Sequence, residues 1–420
     1  PVSGIWQTVY LEAVGDAYLT KARITPDIDK GTATVALVLN ERPAAPLTAT
    51  LTVTEKGRFV RRQQVSLTDR SASVLFDMVE EDRMEGFSVW CPQDPALYDL
   101  RIEIEGQDDV TTYFCMRKVE VKEGFILLNN TPLYQRLVLD QGYWPESLLT
   151  PPSDEAIRAD IEWTLRLGYN GARKHQKVED PRYYYWADKL GLLVWGEVPS
   201  AYSFTNDTVT NLSQTLGDFI ERDFNHPSII AWVPLNESWG VPRIYANSHM
   251  QEAARMLYHQ AKAMDGTRLI SANDGWEQTK TDIYALHDYS ASGSVLQKHF
   301  ADRAFVETHA CDHRMASVEG EPPTGKEAFM VTEYGGIAFE EGKAEPWGHH
   351  DKVTDEESFF RRYQESTDAV RAIPYCQGYC YTQLTDVEQE TNGLLTPGRK
   401  PKIDVDRFRS LTKNPEGRAW

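Results

Sequence analysis

The stretch Ile229-Ile230-Ala231-Trp232-Val233-Pro234-Leu235-Asn236-Glu237-Ser238-Trp239-Gly240 decides the fold. Its first five residues are apolar, follow a His226-Pro227 break and run into polar, aromatic and glycine residues. A strand covered on both faces is apolar throughout, and parallel α/β folds place their chemistry at its carboxyl end. Glu237 stands at that end, beside Asn236. A second stretch, Ala328-Phe329-Met330-Val331-Thr332-Glu333-Tyr334-Gly335-Gly336, has the same form and delivers Glu333 into an aromatic, glycine-rich turn. Two glutamates presented alike predict a pair of carboxylates facing one substrate.

Outward from these two strands, the pattern alternates strands with helices. Further strands are predicted at residues 137–139, 171–173, 192–195, 268–272, 282–286 and 378–383. Ser153 followed by Asp154 and Glu155 reads as a capped helix start, because the hydroxyl satisfies free N–H groups and acids suit the positive end. Ile157, Ile161 and Leu165 then recur at helical spacing, and Gly168 closes the helix. Other helices are expected at 181–190, along the Leu212, Leu216, Phe219, Ile220 and Phe224 face, from Ala253 to a stop at Gly266, and at 355–372. Eight strands alternating with helices predict a (β/α)8 TIM barrel over residues 123–420. The 288–327 segment is long and polar and is expected to be a loop with one short helix. Asn129-Asn130-Thr131-Pro132 signals a hairpin turn between residues 125–128 and 133–135.

Before the barrel, short alternating runs at 32–39, 47–53, 59–65, 72–78, 97–104 and 111–121 are separated by turn residues such as Lys56-Gly57. They predict an immunoglobulin-like β-sandwich over residues 13–122 with a structural role. Residues 1–12 are expected to hold one strand, Ile5-Trp6-Gln7-Thr8-Val9-Tyr10-Leu11-Glu12, with no partner nearby in sequence. The fold class is thus multidomain: β, then α/β.

At 420 residues the chain is too long for one ordinary core. A composition of 41% hydrophobic and 25% charged residues is that of a soluble globular protein, and no apolar run approaches the roughly 18 residues of a membrane helix. The net charge of −19 argues against nucleic acid, which needs clustered Lys and Arg. The start carries neither a signal-peptide pattern nor an initiator Met, so it reads as a cut end. The five cysteines are odd in number and lack metal spacing; Cys376 and Cys380, on one strand, lie about 13 Å apart, too far to bridge. A reducing compartment, the cytoplasm, is expected. No membrane partner is expected, and a homo-oligomer is left open.

Register alone collects the residues at the strand ends around one mouth: Asp140, Arg173, His175, Glu197, Asn236, Glu237, Asn273, Asp274, Trp276, His287, Tyr289, Glu333, Tyr334, Gln383 and Asp386, with Trp239 close by. There is no Gly-rich phosphate loop and no HExxH pattern. Paired acids, polar groups and aromatics are what glycoside hydrolysis needs: one carboxyl to protonate the leaving oxygen, one carboxylate to attack or to activate water, and rings to stack on sugar faces. Trp239 and Pro234 near Glu237 favour a neutral acid; Arg173 and Tyr289 are expected to converge on Glu333 and keep it ionised. Glu197 is a substrate-binding or supporting candidate, and Trp239, Trp276 and Trp347 are candidate sugar platforms. The His349-His350 pair reads as solvated. Two other readings stay open: a non-catalytic carbohydrate-binding scaffold, and a metal-dependent hydrolase using His175, His287 and the acids.

These stretches resemble family 2 glycoside hydrolases, the group of β-galactosidases, β-glucuronidases and β-mannosidases. Asn236-Glu237-Ser238 is similar to that family's acid/base motif, Thr332-Glu333-Tyr334-Gly335 to its nucleophile motif, and Asn170-Gly171-Ala172-Arg173-Lys174-His175 to its second barrel strand. Trp90-Cys91-Pro92 followed by Leu97-Tyr98 resembles its middle domain. Ser3-Gly4-Ile5-Trp6-Gln7 resembles the end of its N-terminal sugar-binding jelly roll, most of which is expected to be missing. The resemblance implies a retaining exo-β-glycosidase acting on a carbohydrate substrate. Glu333 would be the nucleophile, Glu237 the acid/base, and Asn236 would bind the sugar 2-hydroxyl. Substrate-binding candidates are Asp140, Arg173, His175, Glu197, Asn236, Trp239, Trp276, His287, Tyr289 and Gln383. Glu390-Thr391-Asn392-Gly393-Leu394 lacks the lysine with which the family's β-glucuronidases read a carboxylate, so a β-galactoside is the first substrate expected; a β-glucuronide, read by Arg399 or Lys400, is the alternative. No metal ligands and no cofactor are expected.

Overall fold

The computed structural model describes residues 4–413, apart from 82, 85, 309, 312–313, 319–322, 340–347 and 349–351. Trp347, His349 and His350 lie outside the described residues. The chain divides into two compact units. One is Gln7–Lys118 together with Arg222–Pro227, and the other holds the remaining residues.

The first unit is an antiparallel sandwich of two sheets, one of three strands and one of four. Its centre is Leu47–Glu55, in which Ala49, Leu51 and Val53 are fully buried and the threonines between them face outward. This follows from the two-residue period of a strand with one face on a core. Lys56 and Gly57, both at positive φ, turn this strand back onto Arg58–Leu67. Two-residue turns of that hand match the twist of a hairpin. On its other side Leu47–Glu55 pairs with Tyr98–Ile104, which pairs in turn with Asp108–Phe114. Facing it, Leu19–Asp27, Thr32–Leu39 and Ser71–Asp77 form the second sheet.

Three expectations are corrected here. The run expected at 111–121 is two strands. Asp108–Phe114 belongs to the sandwich, whereas Val119–Lys122 pairs with Phe125–Leu128 through a tight turn at Glu123-Gly124, both at positive φ. That local hairpin satisfies its backbone groups without the sandwich. The next turn is only Asn129-Asn130, so the returning strand is Thr131–Pro132 rather than residues 133–135. Ile5 to Glu12 forms no strand, because it bonds to no neighbouring strand among the described residues; Ile5, Val9, Tyr10 and Leu11 are exposed.

The second unit holds eight parallel strands: Gln135–Asp140, Gly171–Lys174, Leu193–Glu197, Ile229–Val233, Leu269–Ile270, Ile283–His287, Ala328–Gly335 and Cys376–Thr382. Numbered in that sequence, they are bonded in the order 5-4-3-2-1-8-7-6. The last gap is bridged by Gly275 against Leu286, giving a nearly closed TIM barrel. Helices Asp154–Arg166, Pro181–Leu190, Asn206–Asp223, Ser248–Met264 and Glu356–Arg371 connect strands. Ser153 caps the first of these on the Ala156 N–H, as its spacing requires. Residues 271–282 join strands five and six without a helix. Among its described residues the 288–327 segment carries two short helices, Gly293–His299 and Arg303–Thr308, where one was expected. The barrel strands are buried on both faces, so the fourth reads fully buried from Ile229 to Val233. No described helix is long and apolar enough to cross a membrane.

Candidate active site

Arg173 lies on the second barrel strand with a fully buried side chain. Its guanidinium ties four strand ends together. Nε donates to Glu197 Oε2 (2.7 Å), Nη2 to Asn236 Oδ1 (2.6 Å), and Nη1 to Glu333 Oε1 (2.8 Å) and the Thr332 carbonyl (3.2 Å). Nη1 is also 3.1 Å from Asp274 Oδ1. A planar fork of five donors suits such convergence, which an ammonium could not reproduce. The neighbouring carboxylates hold its pKa well above the ordinary range despite burial.

Glu333 sits on the seventh strand. Besides Arg173 on Oε1, its Oε2 accepts from the Tyr289 hydroxyl (2.5 Å), which also lies 3.1 Å from Thr382 Oγ1. Burial alone would favour the neutral acid. His287, Arg173 and His175, with the Tyr289 bond, outweigh it and bring the Glu333 carboxyl down to about 2. Burial and the same carboxylate raise the Tyr289 phenol well above its usual range, so it stays a donor.

Glu237 approaches from the fourth strand end, and its carboxylate comes within 4.8 Å of Glu333, ligand atom to ligand atom. Oε1 is 2.8 Å from His287 Nδ1, while among the described residues Oε2 has no hydrogen-bond partner. Its side chain is 24% exposed, against 7% for Glu333. Glu237 and Ser238 both have left-handed backbone (φ 49° and 57°), a conformation that costs an L-residue about 1–2 kcal/mol. Two bonds hold it: the Glu237 N–H donates to the Asp274 carbonyl (2.8 Å), and the Ser238 N–H to Asn273 Oδ1 (2.9 Å).

His287 stands between Glu237 and Asp274, its Nε2 2.9 Å from Asp274 Oδ1. An imidazolium carries hydrogen on both ring nitrogens, so Asp274 Oδ1 and Glu237 Oε1 each accept from it, the latter with or without a proton on Oε2. Burial opposes that charge, but Glu333, Asp274 and Glu237 together push His287 up to about 10. Gly275 makes room for the ring: its φ is 95°, and a side chain there would place its Cβ 2.3 Å from His287 Nδ1. His175 leans on Glu197 Oε1 (3.3 Å); burial would lower its pKa, but Glu197 and Glu333 raise it.

Glu237, His287 and Glu333 are the one described group whose potential ligand atoms gather closely enough to hold a cation. Their chemistry does not suit one. His287 turns an N–H, not a lone pair, toward Glu237, and the Arg173 guanidinium already lies on Glu333.

The other expected residues divide. Gln383 is at the mouth, bonded to Gln141 (2.9 Å) and to Glu390 (2.8 Å). Trp239 is 43% exposed and meets the Tyr202 ring edge-on at 5.8 Å. Trp276 is half-buried. Asp140 and Glu197 are buried and engaged: Asp140 accepts from Lys174 (2.6 Å) and the Gly142 N–H (2.8 Å), and Glu197 from Arg173 and the Gln176 N–H (3.0 Å). Asp140 therefore closes an internal ion pair, and Glu197 orients Arg173. Gln141, Tyr202 and Glu390 were not among the candidates. Only Gln141 had a positional signal, one residue past Asp140 at a strand end.

The family model for glycosyl hydrolases family 2, TIM barrel domain, matches residues 119–412, and the glycosyl hydrolases family 2 model matches 17–117. A beta-galactosidase of Vibrio cholerae is 31% identical over 213 residues, covering 47% of this chain and 20% of that protein. A beta-galactosidase of Enterobacter cloacae is 29% identical over 251 residues, covering 54% and 23%. The chain spans roughly a fifth to a third of the length of the curated relatives it matches. Among solved structures, a GH2 beta-galacturonidase from Eisenbergiella tayi bound to galacturonate superposes with a TM-score of 0.74 at 20% identity, over 95% of this chain and 73% of that chain. A beta-D-glucuronidase of Dictyoglomus thermophilum gives 0.74 at 16% identity, over 96% and 70%. At these identities the structural likeness speaks for the fold.

Proposed function

The chain belongs to glycosyl hydrolase family 2, and from that premise we propose that it is a retaining exo-β-glycosidase working by double displacement, with β-galactosides the first substrates to assay. The observation that carries this reading is the approach of the Glu237 and Glu333 carboxylates to within 4.8 Å. Retaining glycosidases need about 5–5.5 Å between the two groups, whereas inverting ones leave about 6.5–9.5 Å for a water molecule.

In the first step Glu333 Oε attacks the anomeric carbon as the bond to the leaving oxygen breaks. The electron pair of that bond goes to the leaving oxygen, which takes a proton from Glu237. The carboxylate Glu333 is the better nucleophile of the two, because Arg173, His287 and His175 keep it ionised. Glu237 is the better proton carrier, because Oε2 is open while His287 holds Oε1 in place. Covalent bonding then neutralises Glu333, which removes a negative charge beside Glu237. Glu237, having given its proton to the leaving oxygen, takes a proton from water and directs the resulting hydroxide to the anomeric carbon, releasing Glu333. Asn236, whose Oδ1 is fixed by Arg173, turns its amide nitrogen to the sugar 2-hydroxyl, where contacts tighten in the transition state.

Incubation with a panel of activated 2-deoxy-2-fluoro β-glycosides, followed by intact mass and peptide mapping, tests the reading. A covalent adduct on Glu333 is expected, and the sugar that labels narrows specificity. An adduct on another residue, or an α-configured first product by NMR, would overturn it.

A further inference from the structure

Seven residues beyond Gln383, the turn closed by the Val387–Glu390 backbone pair brings a carboxylate to the barrel mouth. Glu390 Oε2 accepts from both Gln141 Nε2 (3.0 Å) and Gln383 Nε2 (2.8 Å). Gln141 follows the first barrel strand and Gln383 the eighth, so the acid is clamped across two adjacent strand ends. It lies near enough to the site that His175 and Glu333 both act on its titration, although burial acts more strongly and raises it.

Donor and acceptor counting says what this cluster offers. A carboxylate oxygen only accepts, which forces both amides to point nitrogen toward Glu390. Gln141 Nε2 gives its second hydrogen to Gln383 Oε1 (2.9 Å), and Gln383 Nε2 gives its second to Asn392 Oδ1 (2.7 Å). Left over, without a hydrogen-bond partner among the described residues, are two acceptors: Glu390 Oε1 and Gln141 Oε1. Neither is enclosed in protein. The cations around them are engaged. Arg173 is held by Glu197, Asn236 and Glu333; Lys174 by Asp140 and Glu179 (2.8 Å); Lys177 by Glu179 (3.0 Å) and the Gly142 carbonyl (2.7 Å).

We infer that Glu390, clamped by Gln141 and Gln383, reads hydroxyl groups of the sugar to be released, so that the mouth takes an uncharged sugar and refuses a uronic acid. A hydroxyl brings the hydrogen that two open acceptors need. A sugar carboxylate brings only lone pairs and a negative charge to meet another carboxylate, and the cations around it, His175 on Glu197 (3.3 Å) included, are already engaged with acids or carbonyls of the protein. This rests on the glycosidase reading above and adds the substrate class to it. It also separates this chain from the galacturonate-bound neighbour, whose backbone it shares.

The test compares matched pairs on the chain as it stands: para-nitrophenyl β-galactoside against β-galacturonide, and β-glucoside against β-glucuronide. In each pair that turns over, kcat/KM should favour the uncharged member roughly 100-fold or more. Glu390→Gln, which keeps shape and removes charge, should lower kcat/KM on the hexoside about 10-fold and narrow the ratio by a similar factor. A uronide hydrolysed as well as its hexoside, or a ratio unmoved in Glu390→Gln, would overturn the inference. Calorimetric titration with free galactose and free galacturonate keeps it separate from the fate of the glycosidase reading. If no glycoside is hydrolysed, hexose binding over hexuronate still supports the assignment, and equal or reversed binding defeats it.

Discussion

Each unit of the molecule buries a knot of charge, and the two knots are built differently. In the sandwich, Glu55 and Glu80 meet Arg58 and Arg83, two acids against two guanidiniums. Glu55 accepts from Ser88 (2.6 Å), Arg83 (2.7 Å) and Arg58 (3.0 Å), and Glu80 takes Arg58 on both oxygens. Every carboxylate oxygen is answered, and the cations reach the surface. In the barrel, one guanidinium, Arg173, serves Glu197, Asp274 and Glu333, while Glu237 stands by. Balance there depends on two imidazoles, His175 and His287, and one carboxylate oxygen stays open. A closed pair of acids and arginines cannot exchange a proton near neutrality; a cluster that leans on histidines and an open acid can. The contrast separates a charge cluster that supports a fold from the one proposed above to react.

The sharpest way to break this contrast is Glu333→Ala. Turnover should fall about 10⁴-fold or more, with sugar binding retained. Retained turnover would remove the reactive reading; lost sugar binding as well would make Glu333 a structural partner of Arg173. Arg173→Met should unfold the barrel more easily by about 3–5 kcal/mol in denaturant, since Glu197 and Asp274 would stay buried without their cation. A change below about 1 kcal/mol would mean those acids protonate freely, and the cluster would be no more demanding than a surface pair.

Glu237→Ala should cost about 10²–10⁴-fold on glycosides with poor leaving groups and much less on activated aryl glycosides, which need little protonation. Equal losses on both would contradict its place as the acid. Glu55→Gln in the sandwich should lower stability by about 1–3 kcal/mol and leave kcat/KM unchanged, the mirror image of Glu333→Ala. A drop in kcat/KM without loss of fold would show that the two clusters are not separable in function.

The last effect expected is in the pH dependence of stability. His287 is raised in the fold to about 10 from an ordinary 6.5. Its contribution is complete below pH 6.5 and is lost as pH rises toward 10, because the unfolded chain releases the proton first. Glu333 works at the other end: lowered to about 2 from 4.5, it stabilises above pH 4.5 and loses that contribution as pH falls toward 2. Thermal midpoints should therefore decline from pH 6.5 to 10, and the decline should be shallower in His287→Gln. An identical slope in the variant would place the loss elsewhere.

Much of the fold was legible because burial on both faces leaves an apolar signature, as in Ile229–Val233 and Ala328–Gly335. The local hairpin of Val119–Lys122 with Phe125–Leu128 was not. The strand run before it continues the same alternation, and only the left-handed turn at Glu123-Gly124 marks the change of partner. At the site, Arg173, His287, Tyr289, Glu237 and Glu333 could be gathered by register. Asp140 was gathered by the same rule and proved to be bonded to Lys174 and the Gly142 N–H, since register gives the end of a strand but not the partner of its side chain. Glu390 gave no positional signal, because it sits on a turn and reaches the mouth only through its bonds to Gln141 and Gln383.

By itself the sequence determined the order of strands and helices, the two units' fold classes and which strand ends share one mouth. Those properties follow from periodicity and from local backbone chemistry, which are written residue by residue. Only the tertiary structure decided which of the gathered acids is open and which is engaged, and which histidine carries charge. A carboxylate's state depends on the groups within about 4 Å of it, and in a barrel those come from other strands: Arg173 and Glu333 are 160 residues apart and 2.8 Å from each other.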